Sequence, residues 1–312
     1  TISTEIDIDA TTQPGFAGTP LIKLVGTGAP QAIGLLITGA NSSVRGLIVV
    51  GFGNKGIQVN ADGVVVAGNY IGVTETGAAQ GNGSAPAGGG AGIGAGGVLV
   101  SNGDFPNTII GGATAADRNV VSGNTYGIQI LCASNVRVQG NYIGLDPTGT
   151  LARPNSSFAV HVSTDTAGFG GCGTSANNNV IGGDIAGAGN VVSGNASSGI
   201  VLGLRASGTL SGNRIQGNII GLAANGTTLV PNGASATGIR LAGAYPGAGT
   251  ATNTVIGGTT ALARNVLAGN GAGSIGIWVE QSSVGAASPA GTTIQGNYVG
   301  LDQSGTLARG FT

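Results

Sequence analysis

A four-residue pattern, Gly-apolar-x-apolar, returns throughout this chain and restricts it to a stack of short strands. It reads Gly56-Ile57-Gln58-Val59, Gly97-Val98-Leu99-Val100, Gly127-Ile128-Gln129-Ile130, Gly199-Ile200-Val201-Leu202, Gly238-Ile239-Arg240-Leu241 and Gly276-Ile277-Trp278-Val279. Phe158-Ala159-Val160-His161-Val162 fills the same slot without the glycine, and Gly34-Leu35-Leu36-Ile37 is an imperfect earlier copy. Alternation with period two turns the apolar pair inward and the middle residue outward. Self-similarity of this kind is the mark of a solenoid.

Two coil types alternate. One reads NYIGVTETG, NYIGLDPTGT, NIIGLAANGT and NYVGLDQSGT; the other reads IIGGATAADRNVVSGN, VIGGDIAGAGNVVSGN and VIGGTTALARNVLAGN. Anchors of the first type, at Gly56, Gly127, Gly199 and Gly276, stand 71, 72 and 77 residues apart, so the full period is two coils. In both types an Asn opens the last strand: Asn69, Asn119, Asn141, Asn190, Asn218, Asn265 and Asn297. The second type inserts extra residues before that Asn, as at Thr114 to Arg118. The first type inserts them after the strand, as at Asp146 to Ser157. Loops therefore leave at different corners on alternate coils while the core path stays constant.

Composition excludes several other classes. Glycine is 64 of 312 residues, yet without the strict triplet period of collagen. Charged residues are 7% and hydrophobic residues 41%, which is too apolar for simple disorder. The eleven basic residues are scattered and the net charge is −1, so no nucleic-acid footprint exists. No apolar run approaches the length of a membrane helix. A chain that opens at Thr1 and lacks methionine is expected to be a processed product or an excerpt.

The repeated GI-x-I and N-x-I-x-GN-x-I-G motifs, spanning roughly Gly34 to Gly300, resemble those of right-handed parallel β-helix proteins of the pectate-lyase-like superfamily, of the bacterial secreted or surface type. The resemblance implies an all-β, right-handed, single-stranded parallel β-helix of about eight coils with alternating loop insertions. It also implies that the Asn series stacks at a sharp turn, amide bonding to amide. Asn suits that role because it tolerates left-handed backbone and its amide both donates and accepts. Residues 1–33 are expected to form an opening strand and partial cap, and 34–312 the repeat domain.

Enzymes of this fold act on polysaccharides with clustered acids, often with calcium. Here the acids Asp62, Glu75, Asp104, Asp117, Asp146, Asp165, Asp184, Glu280 and Asp302 stand singly, and no catalytic residue is assigned. Glu5, Asp7 and Asp9 share one side of a strand; calcium is one reading and a solvated face the other, so no metal or cofactor is assigned. His161, the only histidine, has no nucleophile motif near it and is expected on the surface. Asp146 with Arg153, and Asp302 with Arg309, are expected as loop-closing ion pairs. Recurring IGG elements read as turns, because no helix follows them to make a phosphate loop.

Stacking the anchor strands lines up Leu36, Gln58, Leu99, Gln129, His161, Val201, Arg240 and Trp278, with Glu280 on the same outward face. His161, Arg240, Trp278 and Glu280 are the candidate ligand-binding residues, with a sugar ring as the expected ligand. Cys132 and Cys172, the only cysteines, form either a disulfide suited to an extracytoplasmic compartment or two buried thiols. The expected function is a non-catalytic, extracellular or cell-surface structural or adhesive module. Its expected partners are further copies or adjoining domains stacked end to end, or an extracellular polysaccharide, without nucleic acid or a membrane span. The alternatives are a polysaccharide lyase or glycoside hydrolase, and a carbohydrate-binding β-helix such as a phage-like spike. Fold alone does not separate them.

Overall fold

The computed structural model describes the chain outside residues 27–30, 84–93, 165–172, 206–207, 246–248, 270–272, 281–288 and 312. Three long parallel sheets run side by side, and each full coil gives one strand to each. The first sheet has nine strands, from Asp7–Asp9 and Ser43–Arg45 through Val255–Gly257 to Thr293–Gln295. The second also has nine, from Ile22–Val25 and Leu47–Val50 to Tyr298–Val299. The third has eight, from Ile33–Ile37 to Ile275–Glu280, and contains the anchor strands. This is a parallel β-helix. Two 3-10 turns, Ala10–Thr12 and Ala115–Asp117, are the helical elements of the described residues.

The core is made of one inward residue after another in register. Ile71, Val121, Ile143, Val192, Ile220 and Leu267 follow each other up the second sheet, all fully buried. Burying a side chain of this size contributes about 1.5–3 kcal/mol, so repetition supplies what any single coil lacks.

At the turn from first to second sheet the asparagines form a continuous ladder. Asn69 Nδ2 donates to Asn119 Oδ1 at 3.1 Å, Asn119 to Asn141 at 2.9 Å and Asn141 to Asn190 at 3.0 Å. Asn190 donates to Asn218 at 2.9 Å, Asn218 to Asn265 at 3.0 Å and Asn265 to Asn297 at 2.9 Å. Each amide spends its second proton on a backbone carbonyl, such as Val138 O for Asn190. Each Oδ1 also accepts the backbone N–H of the preceding Asn, as Asn190 does from Asn141. Donors and acceptors at this buried corner are thereby paired.

A second ladder lies at the turn from second to third sheet, beyond what the anchor motif reveals. Asn82 donates to Asn124 at 2.9 Å, Asn124 to Asn155 at 3.2 Å, Asn155 to Asn195 at 2.9 Å and Asn195 to Asn232 at 2.9 Å. Its first position is held by Phe52, whose N–H donates to Asn82 Oδ1. At the far end Gly310 sits against Gly269 as Gly123 sits against Gly81, which puts Phe311 at the ladder position. Phe52 and Phe311 both pack on the core. The last coil thus carries an aromatic plug over part of its section.

The rest of each end stays open. Ile256 is fully buried, whereas its partner in the last coil, Ile294, is 48% exposed, as is Val299. At the opposite end Ile6, Leu21, Ile22 and Val25 are exposed.

Loops leave the coil as the two insertion patterns predict. Those of the first type close by antiparallel bridges, Val73 with Ala79, Leu145 with Ala152, Leu222 with Leu229 and Leu301 with Ala308. They also stack: Ala224 N donates to Gly149 O at 2.8 Å and Gln303 N to Gly226 O at 2.9 Å. The expected ion pairs within these loops do not form. Asp146 instead accepts from Thr150 N, Leu151 N and Thr148 Oγ1, at 3.0, 2.9 and 2.8 Å. Arg153 Nε reaches the Gly77 carbonyl two coils away, and Arg309 Nε the Thr227 carbonyl at 2.9 Å. Backbone groups at a tight turn win the carboxylate because they lie closer than the arginine can. Each arginine staples one loop to the next.

Candidate functional site

The outward column of the third sheet has the register that the motif alignment predicts, from Leu36 through Gln58, Leu99, Gln129, His161, Val201 and Arg240 to Trp278. Outward does not mean exposed. Leu99, Gln129, His161 and Val201 are buried; Gln129 accepts from Gly94 N and donates to Ala95 O, so chain lies over it.

His161 corrects the surface expectation. It is only 4% exposed, with Tyr126 stacked at 6.0 Å and Phe158 edge-on at 5.3 Å. Both aromatics come from the turns that precede anchor strands, which is why strand alternation alone does not reveal the cover. The histidine does not join the other three candidates.

Arg240, Trp278 and Glu280 do come together. Arg240 donates to Glu280 Oε1 through Nε at 2.7 Å and through Nη2, and its guanidinium lies 5.1 Å from the Trp278 ring centroid. Trp278 remains 40% exposed. A half-open indole beside a fixed ion pair offers an apolar face with polar groups at its rim, an arrangement able to receive a flat polar ring. Cys132 is disulfide-bonded; Cys172 lies outside the described residues, as does Asp165.

Most of the acids are tied into local structure. Asp7 accepts from Ser43 and Asp9 from Thr11, while Asp62 holds Asn107 and Asp104 holds Asn135. Glu75 pairs with Lys23 at 2.9 Å and Asp117 with Arg45 at 2.8 Å. Asp7 and Asp9 lie exposed on the first strand, and Glu5 lies exposed just before it. Among the described residues no group of three His, Cys, Asp or Glu side chains could hold a metal ion.

The second sheet carries a surface that the anchor motif leaves out. Tyr70, Val120, Tyr142, Val191, Ile219, Val266 and Tyr298 follow in register on its outer face. The two loop rows stand beside this face. Arg118 lays its guanidinium 4.2 Å from the Tyr142 ring centroid, and Arg264 lies 4.0 Å from that of Tyr298. Gly149 and Gly305, both at positive φ, pass over the edges of these rings, where a Cβ would come within 2.6–2.7 Å of its nearest neighbours.

Two clefts open along this face. One, of about 650 Å³, is lined by Tyr70, Phe16, Asp9, Arg45, Arg118 and Pro147 among others. The other, of about 380 Å³, lies by Ile219, Leu262, Arg264 and Gln303. Burial raises the Tyr70 phenol above its ordinary pKa, and the nearby Asp146 carboxylate acts in the same direction, outweighing a hydrogen bond with Thr19. The sequence signal for this site is the tyrosine of NYIG, which reads as a core residue until the register turns it outward.

Comparison with protein-family models, with curated proteins and with solved structures finds no match to the chain. Among the described residues no helix is long and apolar enough to cross a membrane.

Proposed function

We propose that this chain is a non-catalytic structural module of the extracellular or surface kind, joined end to end into a filament or larger assembly. What supports the reading is a stack whose core and asparagine ladder repeat from coil to coil and whose strand edges another coil, of an adjoining domain or of a second copy, can continue. Along the flank, the ladder amides and most acids and arginines are held in local bonds. At the ends, Ile6, Leu21, Ile22 and Val25 face outward on one side and Ile294 and Val299 on the other. The first and last strands of the sheets also present edges, bridged at Ile37 by Ile2 but otherwise unpaired among the described residues, which another edge can satisfy. A head-to-tail contact between unlike faces propagates.

Ile22 lies in register with Leu47, one coil before Asn69, and so stands where the interior coils carry asparagine. The joint therefore pairs backbone and apolar side chains without a ladder bond, and is weaker than a contact between interior coils. Sedimentation velocity over a concentration series tests the reading: elongated oligomers are expected, and Leu21→Lys or Val299→Lys should remove them. A wild-type chain that stays monomeric at high concentration would end the reading.

A second reading rests on the Trp278, Arg240 and Glu280 cluster, which suits a sugar ring of an extracellular polysaccharide. Glycan binding lost in Trp278→Ala, with the fold intact, would support it.

A further inference from the structure

We propose that the cleft at Tyr70 is a binding site for an organic cation, a guanidinium or alkylammonium group carried on an elongated body. The argument comes from an internal precedent on the second sheet. In two coils the residue just before the ladder position lies against the next coil's outward residue. Where it is arginine, the next outward residue is tyrosine: Arg118 covers Tyr142 and Arg264 covers Tyr298. Where it is Gly189, the outward residue of the next coil is Ile219. Tyr70 breaks the correspondence. The residue in the arginine's place is Gly46, and among the described residues no guanidinium lies over the Tyr70 ring.

The place of that missing cation is open. The coil of Ser43–Arg45 has no insertion before Leu47, so the loop that delivers Arg118 to Tyr142 has no equivalent here. The N-terminal segment comes in from the other side: a Cβ on Gly46 would meet Thr11, and Phe16 lines the same cleft. Tyr70 and Phe16 thus supply two rings in one cavity whose volume lies in the range of small-ligand sites.

The charged residues lining the cleft are Asp9, Arg45 and Arg118, and both arginines are engaged by other groups. Arg45 is paired with Asp117 at 2.8 Å. Arg118 is held on Tyr142 and donates Nε to Gly140 O at 3.2 Å. Asp9, on the rim, makes no ion pair among the described residues although Arg45 stands in register beside it, and its bonds with Thr11, helped by the Arg45 charge, hold it as a carboxylate. Aromatic faces with a carboxylate at the edge are the recurrent solution for holding a desolvated cation.

Ligand-observed NMR titration of the full chain tests the site with a matched pair of probes, N-butylguanidinium and its neutral isostere N-butylurea. Saturable binding of the cation, with at least about tenfold weaker binding of the urea, is expected. Tyr70→Ile should abolish it; Ile219 holds the equivalent position, so the coil tolerates that side chain. Tyr70→Phe should keep binding within about twofold, because the ring face and not the hydroxyl is used. Asp9→Asn, at an exposed position, should weaken it several-fold. A blocked Gly-Arg-Gly tripeptide separates the sources: tighter binding than butylguanidinium assigns a chain-borne arginine, and equal binding a small organic cation. Equal binding of the urea, unchanged binding in Tyr70→Ile, or no saturation by about 50 mM would overturn the proposal.

Discussion

Phe52 and Phe311 occupy one position of the coil at opposite ends of a column whose described interior includes Asn82, Asn124, Asn155, Asn195 and Asn232. An asparagine at the edge of a stack has a neighbour on one side only, and half its amide groups lose their partners. A phenylalanine there asks for no such partner and lies over the apolar section instead. Gly26 and Gly34 in the first coil leave room for the ring of Phe52.

Phe52→Ala should therefore destabilise by about 3 kcal/mol, as for a large core truncation. Phe311→Ala, at the open end, should cost about half of that. Its effect should concentrate in the last coil. Amide exchange at Tyr298 and Val299 should rise while Tyr142 and Ile143 stay protected. Uniform loss of protection along the stack would contradict a local plug.

Interior and terminal rungs of the first ladder should differ. Asn190 makes bonds to Asn141, Asn218 and Val138, all buried. Asn190→Ala leaves several of these groups without partners and should cost about 3 kcal/mol or more. Asn297 is half-exposed and keeps water on one side, so Asn297→Ala should cost about 1 kcal/mol. Urea unfolding of both variants measures the difference, and equal losses would deny the ladder its energetic role.

Much of this architecture is legible in the sequence. The anchor strands, the two coil types, the first ladder and the loop corners follow from motif spacing, because register in a stack repeats the same contacts every coil. The second ladder was legible too, through the matching intervals Asn119–Asn124 and Asn190–Asn195 and the pair Asn141–Asn155 and Asn218–Asn232. It goes unseen when the alignment is built on the anchor strand alone. His161 and the loop arginines were not legible. Their surroundings come from residues distant in the chain, Tyr126 over His161 and Gly77 under Arg153. The Tyr70 cleft depends on what its neighbouring coil lacks, which no motif records.

The Asp146 loop should make stability fall in acid. Burial works to raise this carboxyl's pKa, but the hydrogen bonds from Leu151, Thr148 and Thr150 outweigh it, and the group sits below its ordinary value. Its contribution is then fully present above the unfolded-state pKa and disappears as pH drops through the folded one. Thermal melts between about pH 6 and pH 2 should show a steeper decline for the wild type than for Asp146→Asn. Parallel declines would remove the assignment.

Cys132 is disulfide-bonded in a chain with only two cysteines. Denatured but unreduced protein should take up no iodoacetamide, and Cys132→Ser should lower stability by about 2–4 kcal/mol. Two alkylated thiols in the unreduced protein would refute the bond.

All the amide columns run one way. Nδ2 reaches toward the next coil and Oδ1 toward the previous one, from Asn69 to Asn297 and again from Asn82 to Asn232. The side-chain dipoles add, so the rod has an electrical sense, donors forward and acceptors behind. A chain made from its N-terminus meets, at every completed coil, a row of N–H groups already aimed ahead. Each arriving asparagine needs only to offer an oxygen. Growth of the rod is vectorial for that reason, and a coil laid down in the opposite sense would set donor against donor.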